Sequence, residues 1–288
     1  MNNNKRYALV TGASQGLGKE LANALALRKH NLILVSLPGE NLQDVATDIS
    51  AEYDVSVGYY ECDLTLEQEI EKLIHWVQLN FSVNILINNA GVGCTARFMD
   101  LSSEQTDKIM MLNIRSVVLL THGLLPVLMK QPQAFILNIA SLASFLPMPF
   151  KSVYPASKAF VYSFSRGLYA ELKESNVFVG VAHPGGMYTN CEVSQRIREA
   201  DRVTRATILS VEQTAEICIR RLLKKHPFII PGFSNKLVWL ATRIVPERII
   251  LNYLKADFQN GSLARRVQTA KETTDSNSEN ETKATVCE

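Results

Sequence analysis

YALVTGASQGLG, residues 7–18, runs from a short stretch rich in apolar and β-branched residues straight into a turn studded with glycine. The amphipathic stretch GKELANALALRK follows at once, so the succession reads as strand, tight loop, helix. Gly12 permits the sharp turn, Gly16 lets backbone approach a pyrophosphate, and Gly18 lets the helix pack closely. Ser14, Gln15 and Leu17 complete the loop, and free N–H groups at the start of the helix suit an anion. The spacing is G-x-x-x-G-x-G, which departs from the common G-x-G-x-x-G pattern of dinucleotide turns.

The same alternation continues along the chain. NLILVS, VSVGYY, NILINNAG, AFILNIAS, VFVGVAHPGG and PFIIPG are short apolar runs, separated by amphipathic stretches such as NLQDVATDISAEY and LEQEIEKLIHWVQ. Strand–helix alternation predicts a parallel sheet, and strands apolar on both alternate positions predict helices on both of its faces. The expected fold is α/β, a single doubly wound domain over 1–233 with a parallel sheet of about seven strands. Residues 190–210, NCEVSQRIREADRVTRATILS, are a polar insert placed after a strand's carboxyl end, a position that suits a lid. An apolar helical extension is expected at 234–262, and 263–288 is too polar to fold and is expected to be disordered.

A chain of 288 residues with 47% apolar composition can close a large core. Its formal charge is only +2 and its basic residues are scattered, which excludes a nucleic-acid footprint. Five cysteines (Cys62, Cys94, Cys191, Cys218 and Cys287) without C-x-x-C spacing argue for reduced thiols in a cytoplasmic protein. His30, His75, His122, His183 and His226 show no ligand spacing, so no metal is expected. No signal-type leader is visible, and no uncharged apolar run reaches the ~18 residues a spanning helix needs, so a soluble protein is expected.

SVYPASKAF, residues 152–160, sets Tyr154 and Lys158 on one face of a helix about one turn apart. Pro155 is tolerable only in a first turn, which predicts a helix start near residue 152. A phenol with a reference pKa of about 10 is a poor acid or base near neutrality. An ammonium within about 4–6 Å would lower that value and prepare the hydroxyl for proton transfer. Ser141 ends AFILNIAS, where its hydroxyl can donate to a carbonyl oxygen that gathers charge. Asp63 follows the third strand and N-N-A-G, 88–91, follows the fourth, both at the strand ends where open α/β sheets bind ligands.

Taken together, T-G-x-x-x-G-x-G at 11–18, Asp63, N-N-A-G at 88–91, Asn113, Ser141, Y-x-x-x-K at 154–158 and P-G-x-x-x-T at 184–189 resemble the short-chain dehydrogenase/reductase family. The resemblance spans about residues 5–230 and implies a single-domain Rossmann fold. It implies reversible hydride transfer between a nicotinamide and a carbonyl or secondary alcohol, with Asn113, Ser141, Tyr154 and Lys158 as the catalytic set. By the same resemblance the glycine loop, Tyr154 and Lys158 hold a dinucleotide, Asp63 contacts adenine beside Leu64, and Asn88 shapes the nucleotide pocket with Asn89, Ala90 and Gly91. Thr189 would hold the carboxamide beside Pro184 and Gly185, and Asn113 would join a water-mediated proton relay through Lys158.

The second strand ends NLILVSLPGE, so Ser36 and Leu37 provide neither the carboxylate that holds a ribose 2′-hydroxyl nor the arginine that takes a 2′-phosphate. Absence of a carboxylate at Ser36 favours NADP(H) over NAD(H); Glu40 reverses that if its loop folds back. Around Ser141 and Tyr154 the substrate should meet Leu142, Leu146, Met148, Phe150, Met187 and Tyr188, an apolar wall suited to a hydrophobic ketone or alcohol. A keto-lipid or 3-ketosphinganine-like compound, a 3-oxoacyl group and a steroid all fit that description. Arg196, Arg198, Arg202 and Arg205 read as a solvated helix face.

Residues 236–255, KLVWLATRIVPERIILNYLK, can cover the pocket, join subunits or make peripheral membrane contact; packing against the protein itself is the expectation. The resemblance also implies a homodimer or homotetramer through the helices near 102–130 and 152–175. A competing reading is a nucleotide-binding regulator or scaffold that lost turnover, but its usual mark, a missing tyrosine or lysine, is not found.

Overall fold

The computed structural model describes residues 5–185 and 209–260. Seven strands in these residues form one parallel sheet: β1 (Arg6–Thr11), β2 (Asn31–Ser36), β3 (Val57–Glu61), β4 (Ser82–Asn88), β5 (Ala134–Ile139), β6 (Val177–Ala182) and β7 (Phe228–Ile229). Their order is β3-β2-β1-β4-β5-β6-β7, and every neighbouring pair is parallel. The winding reverses between β1 and β4. Loops leaving the carboxyl ends of those two strands therefore diverge and leave a crevice for a ligand.

Period-two alternation in the strands divides the core between two faces. Ala8, Val10, Leu34, Ile85 and Ile87 point toward α1 (Gly16–Ala26), α2 (Leu42–Tyr53) and a later helix, Val211–Leu223. Leu9, Ile33, Val35 and Leu86 point the other way, toward α3 (Glu67–Asn80) and the helix Ser116–Met129. In chain order the helices after α3 are α4 (Ser103–Met110), α5 (Ser116–Met129), α6 (Val153–Glu171), α7 (Val211–Leu223), α8 (Phe233–Ile244) and α9 (Glu247–Asn260). A π turn, Met111–Arg115, joins α4 to α5 without a break.

Two expectations change. β3 is not buried on both faces: it is the sheet's edge, partnered on one side only, and Tyr59 is exposed. The continuous helical stretch Ser103–Met129 is, by length and composition alone, long and apolar enough to cross a membrane. A count of strictly uncharged residues passes over it because Lys108 and Arg115 interrupt the run. Here Val117, Leu120, Leu124 and Leu128 of this stretch are buried in the core. The 190–208 part of the expected lid, the arginines within it, Met187, Tyr188, Thr189 and the 263–288 tail lie outside the described residues.

Candidate active site

Backbone geometry of the glycine loop leaves no freedom of residue type at its key positions. Gly12 and Gly16 have φ of +64° and +55°, the left-handed region that other residues resist. A Cβ on Gly18 would stand 1.8 Å from the carbonyl oxygen of Gly12. Gln15 caps α1 without a side-chain hydrogen bond, so the helix's first N–H groups face the crevice uncapped. Such a cradle fits the pyrophosphate of a dinucleotide.

The β1 and β4 loops are stitched together. Thr11 Oγ1 accepts from the N–H groups of Asn89 and Ala90, both at 3.0 Å, while the Asn89 amide donates to the carbonyls of Thr11 at 2.9 Å and Gly12 at 3.2 Å. Asn89 is therefore the brace of the nucleotide loop. Asn88, expected to shape that pocket, turns inward: its amide donates to Thr121 Oγ1 at 3.0 Å and Asn138 Oδ1 at 2.8 Å. Leu17 and Leu64 also point into the core, so their side chains are not available to a nucleotide. Asp63 accepts from the N–H of Thr65 at 2.8 Å, which fixes its carboxylate at the end of β3.

Ser36 is buried and donates to the carbonyl of Leu37 at 3.2 Å. The loop after β2 does fold back: Ser14 Oγ donates to the Glu40 carboxylate at 2.5 Å. A negative charge thus stands against the glycine loop on the β2 side.

Helix α6 begins at Val153 with Pro155 inside its first turn, as the missing N–H requires. Lys158 is buried, and its Nζ donates to the carbonyl of Ile139, the last residue of β5, at 2.9 Å. Burial lowers its pKa to about 8. Nζ lies 6.0 Å from the centre of the Tyr154 ring. The expected lowering of the tyrosine pKa is not what this arrangement produces. Burial raises it, and a hydrogen bond from Ser141 opposes the rise only in part. Removing the phenolate from water outweighs the help it receives from Ser141.

The loop after β4 closes over these groups. A Cβ on Gly91 would come within 3.1 Å of both Lys158 Nζ and Asn113 Oδ1, and one on Gly93 within 3.0 Å of the Tyr154 ring. Asn113 sits in the π turn, fully buried. It clamps Val92 from both sides, accepting from the Val92 N–H and donating to the Val92 carbonyl, each at 2.9 Å. Its amide also donates to Ser157 Oγ at 2.9 Å, and Ser157 donates to the carbonyl of Tyr154 at 2.7 Å. These bonds go to Val92 and Ser157 rather than to Lys158, so the side chain holds the loop in place.

Ser141 leaves β5 and caps the short 3₁₀ turn Leu142–Phe145, its Oγ accepting from the N–H of Ala143 at 3.1 Å. Its carbonyl accepts from Ser144 Oγ at 2.6 Å and from His183 Nδ1 at 3.1 Å. His183, which has no metal-ligand spacing in the sequence, thus supports the serine from behind. It is fully buried among Phe145, Tyr162 and Phe228, and that burial lowers its pKa to about 4, so it is neutral. Its place just before Pro184 was the only signal in the sequence.

Leu142, Leu146, Met148 and Phe150 are half-buried and belong to none of the core clusters. Phe150 holds φ of +65°, a strained conformation for an aromatic residue, and its carbonyl accepts from the Ala96 N–H at 2.9 Å. Leu142 N–H donates to the carbonyl of Pro184 at 2.9 Å, and Gly185 abuts Asn235 of α8. No group of three or more potential metal ligands is found among the described residues.

Known proteins resemble this chain in sequence and fold. The chain is 35% identical over 182 residues to a very-long-chain 3-oxoacyl-CoA reductase of Anas platyrhynchos, an alignment covering 62% of this chain and 58% of that relative. The chain thus spans less than two thirds of that relative's length. With the 17-beta-hydroxysteroid dehydrogenase type 3 of Mus musculus it is 30% identical over 268 residues, 88% of this chain and 85% of the relative. Among solved structures, a short-chain dehydrogenase from Sphingobium yanoikuyae in complex with NADPH superposes with a TM-score of 0.72 at 28% identity, covering 83% of this chain and 92% of that one. Residues 6–200 match the family model of the short chain dehydrogenases. With its seven-stranded sheet and glycine cradle, this chain belongs to the short-chain dehydrogenase/reductase family.

Proposed function

We propose that this chain is a nicotinamide-dependent oxidoreductase acting on the carbonyl or secondary alcohol of a hydrophobic substrate. The observation that carries the reading is the juxtaposition of Ser141 and Tyr154, with Lys158 buried behind the tyrosine and the glycine cradle across the crevice. The nicotinamide, when bound, supplies or takes the hydride. Tyr154 Oη gives or takes the proton at the substrate oxygen. Because burial raises its pKa, the phenol is protonated near neutrality, which suits it to donate during carbonyl reduction. Ser141 Oγ orients the same oxygen and donates to the charge that develops there. Lys158 keeps a positive charge nearby below pH about 8, and Asn113 and Gly91 keep the β4 loop against it.

Two features bear on cofactor choice. The Sphingobium relative binds NADPH. In this chain the Glu40 carboxylate beside Ser14 acts against a 2′-phosphate, and Ser36 and Leu37 offer no cation to offset it. The NADP(H) preference inferred from Ser36 is therefore weakened by Glu40, which selects toward the form without the phosphate. For the substrate, the apolar wall at Leu142, Leu146, Met148 and Phe150 and the names of the relatives support a 3-oxoacyl, keto-lipid or steroid ketone.

The test is a panel of hydrophobic ketones with NADH and NADPH separately, following absorbance of the reduced nicotinamide, beside Tyr154→Phe. Turnover that falls roughly 10²–10⁴-fold in the variant is expected. Undiminished turnover would remove Tyr154 from the chemistry. Nucleotide binding without turnover on any ketone would instead favour a regulator with this fold.

A further inference from the structure

Helices α8 and α9 carry an apolar row that no other described residue covers. Phe233, Leu237, Leu240 and Ile244 recur at spacings of four, three and four residues, so they line one face of α8, each between 46% and 76% exposed. Ile249 and Tyr253, four apart on α9, are likewise exposed. The opposite side of α8 holds it to the domain. Asn235 lies against Gly185 and donates to the carbonyl of Pro231 at 2.7 Å, and the Trp239 ring packs 5.6 Å from Phe228 and 6.4 Å from Phe145. A surface helix ordinarily turns its apolar row inward. This one turns it out.

Charge accompanies the row. Lys236 stands directly before Leu237, Arg243 before Ile244 and Arg248 before Ile249, with Lys255 further along, and all four are exposed. Together α8 and α9 carry four cations and two acids, Glu247 and Asp257. The Arg243 guanidinium lies over the Trp239 ring at 5.6 Å, which holds that cation at the flank of the row.

We propose that this face docks on an anionic lipid surface, the apolar row entering the headgroup boundary and the cations meeting acidic headgroups. A second copy placed symmetrically on the same face would bring cations against cations, which disfavours self-association there. Docking sets α8 between the lipid and the Phe145 turn, so that the Ser141 end of the crevice lies about one helix diameter from the surface in which an apolar substrate is dissolved. Only that last consequence rests on the oxidoreductase reading.

Sedimentation of the full chain with vesicles tests the docking. Wild-type protein should pellet with vesicles of phosphatidylcholine plus phosphatidylserine, stay in the supernatant with phosphatidylcholine alone, and be released by salt at about 0.5 M. The double variant Leu237→Glu, Leu240→Glu should lose binding with an unchanged circular-dichroism melt. Lys236→Gln, Arg243→Gln, Arg248→Gln and Lys255→Gln should each weaken partitioning roughly 5-fold. Protein that ignores both vesicles, or pellets equally with both, overturns the proposal. A dimer in analytical ultracentrifugation that Leu237→Glu dissociates would assign the face to a second copy instead. Because the readout is independent of turnover, its failure leaves the enzymatic reading untouched.

Discussion

Lys158 gives its hydrogen bond to the Ile139 carbonyl at 2.9 Å, not to the phenol, and its nitrogen lies 6.0 Å from the centre of the Tyr154 ring. The lysine is thus anchored to the end of β5 and acts on the tyrosine through space. Its pKa of about 8 makes that action pH-dependent. Below pH about 8 the ammonium is present; above it the charge is lost. Ketone reduction should therefore be level near neutrality and fall as pH rises through about 8 in kcat/KM measured with saturating cofactor. A profile that stays flat to the titration range of an ordinary lysine would contradict this assignment.

Glu40 should govern cofactor choice. In Glu40→Gln the carboxylate that accepts from Ser14 is gone, and with it the repulsion of a 2′-phosphate. The ratio of kcat/KM for NADPH to that for NADH should rise on the order of 10-fold, equivalent to about 1.4 kcal/mol. An unchanged ratio would show that the carboxylate swings away when nucleotide binds.

Gly18→Ala places a methyl 1.8 Å from a backbone oxygen, which no side-chain rotation relieves. The loop and helix must separate. Destabilisation of about 3 kcal/mol is expected, together with loss of dinucleotide binding, read by thermal melting and by nucleotide fluorescence titration. A melt and a titration like those of the wild type would mean that the loop is looser than described.

His183 couples the Ser141 turn to acid stability. Its pKa is about 4 in the folded protein against 6.5 when exposed, so the folded state binds fewer protons than the unfolded one between those values. The contribution is complete above pH 6.5 and is lost as pH falls toward 4, by about 3 kcal/mol at most. Melting curves of His183→Asn should show a shallower fall over that window. Loss of the contact to the Ser141 carbonyl should also lower kcat more than it raises KM. A variant with the wild-type acid slope would place the titration elsewhere.

Strands, helices and the Tyr154–Lys158 pairing were legible because each is written in local spacing: period two, period 3.6, and i to i+4. Properties that depend on what encloses a group were not. The rise in the Tyr154 pKa follows from burial by the closing β4 loop, which no neighbouring residue announces. Glu40 meets Ser14 across 26 residues of chain, and His183 meets Ser141 across 42. Asn88 and Asn89 are adjacent and chemically identical. Only the way the chain leaves β4 sends the first inward and the second to the glycine loop.

The π turn at Met111–Arg115 gives that helix one residue more than an α turn needs, and Asn113 lies inside it. Deleting a single residue there would let the helix close into a regular spiral while swinging Asn113 by about 100° off Val92. The clamp of Asn113 on Val92 would then open with no loss of helix content. One lost codon would thus free the loop over Lys158 and leave the outline of the molecule intact.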